Sequence, residues 1–120
     1  MKKILLIEDD EITRGIVLSW LKEDFEIKAY SIAEEAIVDM ETSDYSLLLV
    51  DINLGKGING VKFLKETETK FPGKRVPAIA ITAYALQDEI RDFFKTGFVE
   101  VLVKPFTRNE LRRVVAKHIL

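Results

Sequence analysis

Apolar runs of four or five residues recur along the chain, and longer stretches with apolar residues at helical spacing separate them. The runs "KILLI" (3–7), "FEIKAY" (25–30), "SLLLV" (46–50), "PAIAI" (77–81) and "VEVLV" (99–103) are short and rich in Ile, Leu and Val, which predicts five strands. Between them Ile12, Ile16, Val17, Trp20 and Leu21 recur with a helical period, as do Leu86, Ile90, Phe93 and Phe94, and then Leu111, Val114 and Val115. End signals agree. Asp10 can cap the first helix, Ser31 with Glu34 and Thr107 with Glu110 match the S/T-x-x-E capping box, and Gly97 suits the end of the fourth helix.

Strict strand–helix alternation predicts an α/β fold, a doubly wound five-stranded parallel sheet with right-handed crossovers and helices on both faces. The second strand alternates polar and apolar residues, as an edge strand does. The flavodoxin-like order 2-1-3-4-5 is the common solution at this size. A chain of 120 residues without linker, repeat or low-complexity segment predicts one domain, residues 1–120. Trp20 fits the apolar stripe of the first helix and is read as core.

Composition narrows the chemistry by exclusion. Hydrophobic residues make up 48% and charged residues 32%, with a net charge of -2, so nothing points to bulk nucleic-acid or membrane binding. No cysteine is present, which removes disulfides, thiolate zinc sites and thiol nucleophiles and fits a cytoplasmic location. The single histidine, His118, lies near the C-terminal end, so an imidazole-built metal site is excluded and any metal must favour oxygen, as Mg²⁺ does. The start "MKKILLI" is basic and then apolar, but Glu8 interrupts it too early for a signal peptide. The basic residues of the last helix, Arg108, Arg112, Arg113 and Lys117, read as its solvated face.

In a sheet of this order the ligand site lies beyond the carboxyl ends of the strands. There the first strand delivers Glu8-Asp9-Asp10, the third Asp51, the fourth Thr82 and the fifth Lys104. Taken singly each has an ordinary explanation: a helix cap, a backbone-bonded threonine, a solvated lysine. Together they do not. Two carboxylates at about 4 Å repel by roughly 4 kcal/mol at an effective dielectric near 20, and one lysine cannot offset three acids. A divalent cation can, and carboxylates with water are how Mg²⁺ is usually held. A hydroxyl and an ammonium added to that set suit a phosphoryl group.

Four segments here resemble the receiver domains of bacterial two-component response regulators: "LLIEDD", "VDINL", "AITAYA" and "VLVKPF", in that order and at those strand ends. The resemblance runs from Met1 to Leu120. It implies that Asp51 takes a phosphoryl group from a phosphohistidine on a sensor histidine kinase or phosphotransfer protein. It implies that Asp9 binds Mg²⁺ directly and Glu8 through water, with the carbonyl of Asn53 completing the protein ligands. Lys104 would pair with phosphoryl oxygens, Thr82 would swing in to bond one, and Ala83 is small enough to let its own N–H reach the group. Asn53 and Tyr84 would flank the path of the hydrolytic water. The bond before Pro105 would be cis.

Two positions depart from that pattern. The loop "GKGING" is longer and richer in glycine than the family's, and Val101 stands where an aromatic usually rotates inward with the threonine; Tyr84 and Phe98 are the nearby rings expected to take its place. The same loop spells G-x-G-x-x-G over Gly55–Gly60, the dinucleotide fingerprint. Its first glycine comes several residues after the strand, and about twenty residues past the loop lie Ile79, Ala80 and Ile81 in place of a ribose-binding acid. Two rivals to the phosphorylation switch are therefore a receiver-like scaffold that is never phosphorylated and, more remotely, a dinucleotide-binding domain.

Overall fold

The computed structural model describes residues 1–83 and 86–119. Five strands, β1 (Lys3–Ile7), β2 (Glu26–Tyr30), β3 (Leu47–Asp51), β4 (Ala78–Thr82) and β5 (Glu100–Val103), alternate with five helices, α1 (Glu11–Leu21), α2 (Ala33–Met40), α3 (Gly60–Lys70), α4 (Gln87–Thr96) and α5 (Arg108–His118). All strand pairings are parallel and the order is β2-β1-β3-β4-β5. The predicted order is thus the observed one. Strands 3 and 4 run one residue further than their apolar runs, which makes Asp51 and Thr82 the last residues of β3 and β4.

The central strands are apolar throughout because both faces of the sheet are covered. Leu5, Ile7, Leu48, Val50, Ala78 and Ala80 pack with Ala36, Ile37, Phe63, Leu64 and Phe93 of α2, α3 and α4. The alternate residues Ile4, Leu6, Leu47, Leu49, Ile79 and Ile81 pack with Val17 and Leu21 of α1 and Leu111, Val114 and Val115 of α5. In β2, Glu26 and Lys28 are exposed while Ile27, Ala29 and Tyr30 are half-buried, as an edge requires.

Helix ends follow local chemistry, with one correction. Asp10 caps α1, its carboxylate accepting from Thr13 N–H at 2.9 Å, and Gly97 ends α4 with φ 124°. Thr107 and Glu110 form a full capping box on α5, each bond 3.1 Å. Thr107→Ala should cost about 1 kcal/mol, read as a lowered midpoint in urea at unchanged m-value. Ser31 and Glu34 form no such box. The N-cap of α2 is Ile32, without a side-chain bond, and Glu34 is used elsewhere.

Two apolar stripes are also corrected. On α1, Val17 and Leu21 are buried, but Ile12 is 74% and Ile16 40% exposed. The inward position one turn before Val17 belongs to Arg14, whose guanidinium donates to the Glu8 carbonyl at 3.0 Å. On α4 only Phe93 is fully inside, while Leu86 and Phe94 are exposed. Trp20 packs against the α1–α5 core with its ring edge-to-face on Phe106. The basic residues of α5 are partly engaged: Arg112 bonds Asp24 at 2.6 Å and the Trp20 carbonyl at 3.0 Å, and Lys117 lies 3.6 Å from Glu100.

Candidate functional site

Each element delivers its residue to the carboxyl edge for a backbone reason. The Glu8 N–H bonds the Tyr30 carbonyl at 3.0 Å, so Glu8 continues the β1–β2 pairing beyond β1. Ile52 N–H bonds Ile81 O at 2.9 Å just after Asp51, and Lys104 N–H bonds Thr82 O at 2.8 Å just after β5. Sheet pairing therefore fixes Glu8, Asp51, Thr82 and Lys104 along one edge before any side chain acts. At the start of α3, a Cβ on Gly60 would lie 2.5 Å from the Asp51 carbonyl oxygen and 2.9 Å from Val50 Cγ1. That glycine lets the helix begin directly against β3, which accounts for one of the three glycines in the fingerprint-like run.

The side chains then meet. Glu8 is 0%, Thr82 1% and Asp51 3% exposed, while Asp9 and Asn53 lie at the surface. Lys104 Nζ is 2.7 Å from Glu8 Oε1 and 3.5 Å from Asp51 Oδ2. Asn53 N–H donates to Asp51 Oδ1 at 3.0 Å, and Gly55 N–H donates to Asp9 Oδ2 at 2.8 Å. Glu8, Asp9 and Asp51 each offer an oxygen within 4.8 Å of the others. The Lys104–Pro105 peptide is cis, and Ala83 lies exposed after Thr82.

Electrostatics mark this edge as uncompensated. Burial, reinforced by neighbouring Asp51 and opposed by Lys104, pushes the Glu8 carboxyl up to about 8. Burial alone would pull the Lys104 ammonium down, but the carboxylates of Glu8 and Asp51 outweigh it and the net shift is upward. Lys104 meets Glu8 Oε1 as an ion pair, and both Glu8 oxygens are buried with no hydrogen-bond partner. Such groups are costly unless something meets them. An all-oxygen set of three carboxylates with unsatisfied lone pairs fits a hard divalent cation, and Mg²⁺ with its retained waters suits it.

Other predicted participants are placed less directly. Val101 is half-buried against the core on the α2–α4 side. Phe98 is 2% exposed and packed edge-to-face on Phe93, so it is a core ring and does not stand in for an aromatic at Val101. Tyr84 lies outside the described residues. His118 sits at the far end of the sheet, its Nε2 3.0 Å from Glu100 at the start of β5. A cavity of about 630 Å³ is also at that far end, lined by Met40, Leu64, Phe71 and Val99, and it shares no residue with the acidic edge. The sequence pattern missed Arg14, whose guanidinium donates to the Glu8 carbonyl, and Gly55, whose backbone N–H donates to the Asp9 carboxylate.

Known proteins share this fold. The family model for the response regulator receiver domain matches residues 4–116. Response regulator protein FleR of Pseudomonas aeruginosa is 32% identical over 119 residues, which make up 98% of this chain and 24% of FleR, so the chain spans under a quarter of that relative. The receiver domain of sensor histidine kinase PA1611 from Pseudomonas aeruginosa, solved with a magnesium ion in its active-site cleft, is 29% identical with a TM-score of 0.87, covering 98% of this chain and 96% of that one. Response regulator protein TrrA from Thermotoga maritima, solved with Mg²⁺ and BeF, is 29% identical with a TM-score of 0.84, covering 99% and 100%. A match that enters at the first strand and leaves in the last helix, on a superposable backbone, makes this chain a member of the response regulator receiver domain family.

Proposed function

We propose that Asp51 accepts a phosphoryl group from a phosphohistidine on a sensor histidine kinase or phosphotransfer protein, with Mg²⁺ held at the same edge. The chain is then the phosphorylation-switched element of a two-component phosphorelay, a signalling module and not a metabolic enzyme. One observation carries this: Glu8 and Asp51 are buried side by side with Lys104 against them, and neither Glu8 oxygen has a hydrogen bond. The relatives support the partner class, since PA1611 is a sensor histidine kinase and FleR a response regulator.

In the forward step a carboxylate oxygen of Asp51 attacks phosphorus as the phosphorus–nitrogen bond breaks, and the electron pair leaves on the imidazole. Asn53 N–H fixes the orientation of the Asp51 carboxylate for that approach. Lys104 pairs with one phosphoryl oxygen, while the Thr82 hydroxyl and Ala83 N–H donate to others. Asp9, Asp51 and the Asn53 carbonyl would hold Mg²⁺, with Glu8 reaching it through water. When bound, the metal offsets the negative charge that gathers on the phosphoryl oxygens. Dephosphorylation is a separate hydrolytic step: water attacks phosphorus, the bond to Asp51 breaks with the electron pair returning to the carboxylate, and inorganic phosphate leaves. Asn53 flanks the water and tunes the lifetime of the acyl phosphate.

Moving a two-state equilibrium from 1:99 to 99:1 takes about 5.5 kcal/mol of preference for the favoured state. With Val101 in place of a ring, that preference must come from Thr82 and the phosphoryl contacts without rotation of a ring at position 101. Among the described residues no helix is long and apolar enough to cross a membrane, and the proposed site of action is the cytoplasm, with no direct nucleic-acid contact.

The test is intact mass after incubation with acetyl phosphate, with and without Mg²⁺, beside Asp51→Asn. The expected result is a gain of one phosphoryl group that needs Mg²⁺ and is absent in the variant. No gain together with no Mg²⁺ binding would favour the unphosphorylated scaffold. A saturable affinity for NAD, unchanged in Asp51→Asn, would favour the dinucleotide domain.

A further inference from the structure

We propose that Glu34, on α2, is a positioning residue for the metal edge. Its carboxylate holds the β3–α3 loop where Gly55 N–H fixes Asp9. This inference rests on the Mg²⁺ site proposed above and adds a residue to its support.

Glu34 does not cap its own helix. Its two oxygens instead straddle the Ile58 N–H, each at 3.3 Å. The space they occupy is left by Gly57, where a Cβ would lie 2.3 Å from Oε1 and 2.6 Å from Oε2. Gly57 also has φ 71°, which side chains rarely adopt. Both the missing side chain and the backbone turn are therefore needed for the carboxylate to reach the loop. Two residues earlier, Gly55 N–H donates to Asp9 Oδ2 at 2.8 Å, and a Cβ on Gly55 would come within 2.9 Å of that same oxygen.

The glycine-rich loop is thus pinned between two carboxylates, one on α2 and one in the metal set. Asp9 is exposed, so its rotamer is selected by a hydrogen bond more than by packing. Releasing Ile58 frees the segment that carries Gly55, and with it the Asn53 carbonyl two residues before. Partners that orient metal ligands tune affinity in this way. The feature that the sequence alone presents as a dinucleotide fingerprint is, in the fold, a strap with space for Glu34.

The test is calorimetric titration of the 120-residue protein with MgCl₂, with amide hydrogen exchange on the metal-free form. Glu35→Ala serves as the charge control, because it removes the same charge from the same helical turn without touching the loop. The Mg²⁺ Kd should rise about 3- to 10-fold in Glu34→Ala, below the roughly 10–100-fold typical of groups bonded directly to ligands. Gly57→Ala should raise it similarly, and Glu34→Gln, which keeps one acceptor oxygen, should recover part of the loss. Exchange at both Ile58 and Gly55 should quicken in Glu34→Ala, a change that a general loss of stability would spread over the whole sheet. Wild-type binding with the same Kd in Glu34→Ala as in Glu35→Ala overturns the role of Glu34 alone. No Mg²⁺ binding by the wild type overturns the metal site, and this inference falls with it.

Discussion

Between pH 5 and pH 8 the metal-free protein should melt at progressively lower temperature, and Glu8→Gln should remove most of that slope. The Glu8 carboxyl ordinarily titrates at 4.5 and is raised to about 8 in the fold. Over that interval the unfolded chain has released the proton and the folded chain has kept it. Folded molecules bind more protons, so stability falls as pH rises, and the fall ends once the folded group has titrated too. The shift sets an upper bound on the order of 5 kcal/mol. Relaxation around the charged group takes part of this back, leaving a drop of roughly 10 °C for a chain of this size.

Glu100 acts in the opposite sense and outside the window. His118 holds its carboxyl below the usual range, so it is ionised throughout, and its contribution is lost only on further acidification. The difference between wild-type and Glu8→Gln curves isolates Glu8 from other groups that titrate in the interval. Mg²⁺ at pH 8 should restore the wild-type midpoint, because the cation binds the charged carboxylates of the folded state. Calorimetric melts in EDTA across the range decide the matter: a flat wild-type curve, or an equally steep variant, would sink it.

Lys104→Ala should destabilise the metal-free protein by about 3–5 kcal/mol at pH 8, the cost of leaving buried charge without its partner. The backbone bond from Lys104 N–H to Thr82 O survives the truncation, so the loss reports the ammonium and not the strand end. At pH 5, with Glu8 neutral, the loss should be smaller. Asp51→Ala is the complementary change. It removes one of the crowded acids and should raise the metal-free midpoint despite forfeiting the Asn53 N–H bond. In the Lys104→Ala background it should recover a large part of the lost stability. A double-mutant cycle by urea denaturation gives the coupling, and additive single effects would show that these charges do not sense one another.

The sheet was legible because β1, β3 and β4 carry four-residue runs, 4–7, 47–50 and 78–81, that are apolar on both faces, while β2 alternates and so declares itself an edge. Charged residues at the ends of those runs then marked the functional edge without any knowledge of contacts. Helix faces were less legible. The spacing of Ile12, Ile16 and Leu86 is helical, but spacing gives a period and not the phase relative to the sheet, and α1 turns Arg14 inward where the pattern offered isoleucine. Glu34 was misassigned for a related reason. A capping box needs only three residues of chain, whereas the bond Glu34 makes is to a loop 24 positions away, and no local pattern encodes that.

Of the five strands β1 comes first in the chain yet lies inside the sheet, paired on both sides, while β5 comes last of the five and lies at the far edge. Glu8 therefore emerges from the ribosome almost a whole chain ahead of Lys104. A nascent or truncated polypeptide that has formed β1 to β4 already gathers its acids, yet lacks the ammonium that faces them. In such a fragment the Lys104 ammonium no longer offsets the burial of Glu8, so a four-stranded sheet should be less stable than the five-stranded one at pH 8.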